Sequence, residues 1–97
     1  MTVNVKGVHY NVSDNTKEYI DKRLEKLDFA DELIVELHIV ITKETKGFFT
    51  VEAKLHFRWG EHSHMKVEER ELYKALDELV DKLQIKVSRE KEKIKQH

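Results

Sequence analysis

The sequence predicts an α+β domain of order β-α-β-β-β-α, a single four-stranded sheet with two helices packed on one face. Three observations lead there. Four segments alternate apolar and polar residues with a period of two, two segments repeat apolar residues at helical spacing, and each strand has only one apolar face. Strands that are apolar on one side need a covering layer on that side alone, and the two helices supply it.

The elements follow in order. VNVKGV alternates through Val3 and Val5 and is the first strand. Ser13 stands where a helix N-cap belongs, ahead of DNTKEYIDKRLEKLD, in which Ile20, Leu24 and Leu27 recur at helical spacing. ELIVELHIVITKE is the second strand, with Leu33, Val35, Leu37, Ile39 and Ile41 expected on its inner face. Gly47 marks a turn, and FFTVEAKLHFRW alternates through Phe49, Val51, Ala53, Leu55 and Phe57. WGE reads as a tight hairpin connection into HSHMKVEE, with Met65 and Val67 inward. From about Glu69 the period turns helical almost to the end, with Leu72, Leu76, Leu79, Val80, Leu83 and Val87 making one face. Tyr73 and Trp59 are expected in the core and at its edge.

Composition bounds the class. The 97 residues make one small domain whose 39% hydrophobic content, held in periodic segments, supports a core despite 38% charged residues. There is no cysteine, so disulfides and thiolate metal sites are excluded. No apolar run reaches membrane-spanning length and the N-terminus lacks a signal-peptide stretch, so a cytoplasmic protein with no membrane partner, monomeric when free, is expected. No Gly-rich phosphate loop or nucleophile elbow points to an enzyme, and no cofactor is expected.

Charge is where a function shows. The chain is almost neutral, 18 Lys+Arg against 19 Asp+Glu, so a nucleic-acid surface requires that charge be segregated. At about 100° per residue, with Leu72 at zero, Lys82, Lys86, Arg89 and Lys93 all fall between about 260° and 320° on the second helix. Asp77, Asp81 and Ser88 lie nearer the back, so the stripe is expected to have no matching acids. On the first helix Lys22, Arg23 and Lys26 share a sector, apart from Glu18, Asp21 and Glu25. Side by side on one sheet, the two helices are expected to join these sectors into a positive groove that meets RNA through phosphate contacts.

The residues also carry a resemblance. VNVKG at the start, KRLEKL in the first helix, KETKGF at Lys43–Phe48, ELYKALDELVDKL from Glu71 to Leu83 and the terminal KIKQH resemble, in order and spacing, the short form of the ribosome hibernation promoting factor family, which includes ribosome-associated inhibitor A and the sigma-54 modulation proteins. The resemblance spans essentially the whole chain. It implies the same β-α-β-β-β-α fold and binding to the small ribosomal subunit and its 16S rRNA, in the channel of mRNA and the A- and P-site tRNA anticodon arms. It further implies competition with tRNA and mRNA, and silencing of translation in stationary phase or stress. Arg23 and Lys26 match the family's basic pair on the first helix, Lys82 matches the Lys of its DKL motif, and Arg89 falls where a basic residue follows. Many relatives carry an Arg where this chain has Ile85. Longer relatives carry a second, C-terminal domain that pairs ribosomes; this chain is expected to be a single ribosome-binding domain, 1–97, without it, so that pairing would need a separate ribosome modulation factor.

Two other classes compete. His38, His56, His62 and His64 are expected on the open sheet face, and His62 and His64, two apart on one strand, are spaced as paired imidazole ligands for zinc or copper or as a pH-responsive site. Ile34, Val40 and Phe48 on the outer sheet face, with Ile85 on the helix, would make an apolar protein–protein contact surface.

Overall fold

The computed structural model describes residues 1–95; Gln96 and His97, the end of the KIKQH stretch, lie outside the described residues. The strands are β1 (Thr2–Val8), β2 (Ile34–Lys43), β3 (Phe49–Phe57) and β4 (His62–Glu69), and the helices are α1 (Asp14–Leu24) and α2 (Leu72–Lys95). The sheet runs β1-β2-β3-β4. β1 lies parallel to β2, which α1 makes possible as a crossover, and the remaining pairs are antiparallel hairpins. The predicted order and the one-sided sheet are both present.

The core is a sandwich of helix and sheet. Leu37, Ile39 and Ile41 of β2 and Val51, Ala53, Leu55 and Phe57 of β3 are buried beneath Ile20 and Leu24 of α1 and Leu76, Leu79, Leu83 and Val87 of α2. The turns are closed as their glycines require. Gly47 and Gly60 both have positive φ, 83° and 92°, and the Gly60 amide donates to the Phe57 carbonyl at 3.0 Å.

Three expectations are corrected. First, α1 is capped as predicted, the Ser13 hydroxyl accepting from the Thr16 amide at 3.1 Å, but its α-geometry ends at Leu24. Glu25–Leu33 continues as a 3-10 segment broken at Ala30, where φ is −127°. No glycine stops the helix there, and burial of Leu27 and Ala30 draws the chain onto the sheet, so the turn tightens instead of ending. Second, the N-terminal end of β2 is reversed. Pairing passes from Ile34↔Phe57 to Glu36↔His56, two steps on β2 for one on β3, so Val35 is the extra residue of a β-bulge. Ile34 is therefore buried and Val35 exposed, the opposite of strict alternation. The expected apolar surface of Ile34, Val40, Phe48 and Ile85 goes with it: Ile34 is in the core, and Ile85, although exposed, belongs to the helix layer on the other side of the sheet from Val40. Third, Tyr73 is not in the core. It is 41% exposed, because it lies just past the edge of the apolar arc of α2, and its ring is stacked on Tyr19. Trp59 is exposed to a similar degree, 43%, although its ring stacks on the buried Phe57 at the edge of the core and its indole N–H donates to Glu61 at 3.1 Å.

Candidate nucleic-acid interface

The seam between α1 and α2 is where the two basic sectors were expected to merge, and it is ion-paired instead. Arg23 Nε lies 2.9 Å from Asp77 Oδ1, and Lys26 Nζ donates to Asp81 Oδ1 at 3.2 Å. The Tyr19 hydroxyl donates to the same Asp77 oxygen at 2.6 Å and accepts from Arg23 Nε and Nη2, each at 3.2 Å. The bond to Asp77 is the largest of the effects that push the Tyr19 phenol above its ordinary pKa, because ionising the phenol would set two anions together. Asp77 and Asp81 thus face α1 and are not on an idle back surface. The angles around α2 hold; what they leave open is the side on which the neighbouring helix lies.

The stripe of α2 lies on the other flank. Lys86 Nζ approaches Glu61 Oε1 of the β3–β4 connection at 3.9 Å, which fixes this flank beside that hairpin and away from α1. The stripe is not free of acids either. Glu90, 3% exposed, sits beneath it, 3.0 Å from Lys86 Nζ and 3.3 Å from Lys93 Nζ. Lys82 and Arg89 are exposed and have no ion pair among the described residues, and the same holds for Lys22 on α1. The structure therefore sorts the seven basic residues into three groups. Arg23 and Lys26 clamp the helices, Lys86 and Lys93 share a buried carboxylate, and Lys22, Lys82 and Arg89 stand open.

Glu90 was missed in the sequence although its signal was present. It falls within the apolar arc, at the same angle as Leu72, an unusual place for a charge, four residues from Lys86 and three from Lys93. Burial alone raises its pKa, but hydrogen bonds and charge from the two lysines outweigh that and hold the carboxyl below its ordinary value. A carboxylate with a depressed folded pKa contributes stability above its unfolded pKa and loses it as pH falls through the folded value. Glu90→Gln should accordingly cost about 1 kcal/mol at pH 7, a modest loss because both lysine heads can return to water. The difference should narrow as pH falls through the folded pKa of Glu90, which lies below the ordinary carboxylate value, and close once the wild-type carboxyl is itself protonated. Urea titrations of both proteins at several pH values measure it, and a gap that persists at low pH would contradict the assignment.

The histidines do not converge. His62 stacks flat on His56 across the hairpin, centroids 4.3 Å apart, whereas His64 Nε2 is 3.5 Å from Glu52 Oε2. His38 Nε2 is hydrogen-bonded to Glu36 Oε2 at 2.9 Å. Among the described residues no three His, Cys, Asp or Glu side chains come together in a way that could hold a metal ion.

Comparison with known proteins bears on the whole chain. The family model described as sigma 54 modulation protein / S30EA ribosomal protein matches residues 3–95. The ribosome hibernation promoting factor of Escherichia coli (strain K12) is 31% identical over 97 residues, covering all of both chains. A ribosomal subunit interface protein from Coxiella burnetii superposes with a TM-score of 0.84 at 24% identity, covering 94% of this chain and 98% of that one. The N-terminal domain of Thermus thermophilus Protein Y gives a TM-score of 0.80 at 24% identity, covering 92% and 98%. At that identity the two structures establish a shared fold.

Proposed function

This chain belongs to the sigma 54 modulation protein / S30EA ribosomal protein family, and we propose that it is a ribosome hibernation factor that binds the small ribosomal subunit and inhibits translation by occupancy. Its site is the mRNA and tRNA channel at the A and P positions, its ligand there is 16S rRNA, and it acts in stationary phase or stress. Such a protein works in the cytoplasm on ribosomes, and no helix among the described residues is long and apolar enough to cross a membrane. Occupancy needs no catalytic group. The observation that carries the reading on the structural side is the outer flank of α2, where Lys82 and Arg89 are exposed and make no ion pair among the described residues, in a chain of net charge −1. Open cations of this kind are the ones that can neutralise phosphates and release counterions, since they have no internal partner to give up.

The test is a cell-free translation reaction titrated with purified protein at several ribosome concentrations. Inhibition should saturate near one protein per ribosome, and the midpoint should move in proportion to ribosomes. P-site tRNA bound beforehand should reduce binding to the small subunit. Inhibition at amounts far below ribosome concentration would indicate turnover and overturn the mechanism; tRNA and protein bound together on one subunit would overturn the location.

A further inference from the structure

We propose that Tyr73, laid on Tyr19 beside Lys22, is a stacking platform for the base of an unpaired RNA nucleotide. The inference rests on the reading of this chain as a ribosomal RNA binder and adds to it a site of different chemistry from the lysine stripe, on the other side of α2.

Tyr73 stands in the first turn of α2 and is 41% exposed. Its hydroxyl makes no hydrogen bond among the described residues, so what the position presents is an aromatic face. That face is held in place. The Tyr19 ring lies beneath it, centroids 4.3 Å apart and planes within 10°, and Tyr19 is itself fixed by Asp77 at 2.6 Å and Arg23 at 3.2 Å. A ring backed by a second, immobilised ring is ready to receive a third with little further loss of freedom. The raised pKa of Tyr19 keeps the lower ring neutral well past physiological pH, so the platform adds no negative charge against a phosphate.

The surroundings suit one nucleotide. Tyr73, Tyr19 and Lys22, with Asn15 and Glu18, line an open groove of about 400 Å³. A neighbouring groove of about 480 Å³ shares Tyr19 and Lys22 and adds Arg23, Glu25 and Lys26. Arg23 and Lys26 are committed to Asp77 and Asp81, which leaves Lys22 as the cation available to a phosphate. Glu18 and Glu25 lie in the same grooves, so a phosphate backbone would gain little here from charge alone. Stacking supplies what charge does not, and it requires an unpaired base, because the faces of the bases within a duplex are already stacked on one another.

The test measures four proteins, wild type, Tyr73→Leu, Tyr73→Trp and Lys22→Gln, by fluorescence anisotropy over a range of salt. The probes are a single-stranded octauridylate and a blunt-ended RNA duplex of about twenty base pairs, which has no unpaired base, and small-subunit binding is measured in parallel. Tyr73→Leu should weaken octauridylate binding at least about fivefold without changing its salt slope, and should leave duplex binding unaffected. Tyr73→Trp should tighten single-strand binding. Lys22→Gln should flatten the single-strand slope by about 0.7. Wild type that fails to bind octauridylate, Tyr73→Leu and Tyr73→Trp that both bind it as wild type does, or an equal loss on the duplex would each overturn the platform. The two readings fail separately. A small subunit bound normally by Tyr73→Leu sinks the platform and leaves the hibernation reading standing. Wild type that binds octauridylate in a Tyr73-dependent way but not the small subunit sinks the hibernation reading alone.

Discussion

Gly7→Ala should destabilise the protein by roughly 3 kcal/mol or more, lowering its Tm by about 15 °C. Gly7 pairs with Ile41 within the parallel β1–β2 ladder, and the chain then doubles back over it through His9, whose φ is 54°. A Cβ at position 7 would collide with the Tyr10 carbonyl oxygen and lie 3.1 Å from Val12 Cγ2. The segment above cannot move aside easily. Tyr10 meets Phe49 edge-on at 5.5 Å and its hydroxyl is 3.1 Å from Thr16 Oγ1, while Val12 packs against the core. The added methyl therefore meets backbone pinned at both ends, which is overpacking without an outlet. Gly47→Ala is the comparison. Gly47 also needs a residue without Cβ, but for its φ of 83°, and nothing lies within 4 Å of the position. Its cost should be the conformational one, about 1 kcal/mol. Urea unfolding followed by circular dichroism measures both, and equal costs at the two glycines would contradict the packing argument.

How far the sequence carried the fold depends on whether each element obeys a single period. β3, β4 and α2 do, so their inward residues, from Val51 to Phe57, Met65 and Val67, and Leu76 to Val87, were legible one by one. β2 does not. One inserted residue at Val35 puts Ile34 on the inner face and Val35 on the outer, and the bulge leaves no mark in a run as uniformly apolar as Leu33–Val35. The candidate site was legible to the same extent. The angular sorting of Lys82, Lys86, Arg89 and Lys93 follows from helical geometry alone. Which of them is free does not, because that depends on Glu90, which the fold turns inward, and on whether α1 lies on the acidic or the basic flank of α2. Tyr73 marks the same limit. An aromatic at the edge of an apolar arc is core or surface according to the neighbour beside it, and here the neighbour is another tyrosine.

That division gives the stripe a graded prediction. Lys82→Gln with Arg89→Gln should weaken binding to the small subunit by roughly thirtyfold near 0.15 M salt and flatten the salt dependence by about two units, if each releases one counterion on contact. Both side chains are exposed and unpaired among the described residues, so the exchange leaves no internal acid without its partner, and stability should change by about half a kcal/mol or less. Lys86→Gln with Lys93→Gln removes the same charge from the same flank, yet should weaken binding less. Those two cations already share Glu90, and their attraction for a phosphate is offset by the carboxylate that holds them. It should also lower stability, because it leaves Glu90 buried with neither lysine to partner it. Asp77 and Asp81 cannot serve as a control for net charge, since removing them releases Arg23 and Lys26. Lys6→Gln with Lys54→Gln can: both residues are exposed on the open face of the sheet, opposite the helices. A loss of binding as large for this pair as for Lys82 and Arg89 would mean that total charge, and not the outer flank of α2, governs attachment. Equal losses for the two stripe pairs would mean that the hold of Glu90 on Lys86 and Lys93 does not reach the bound state.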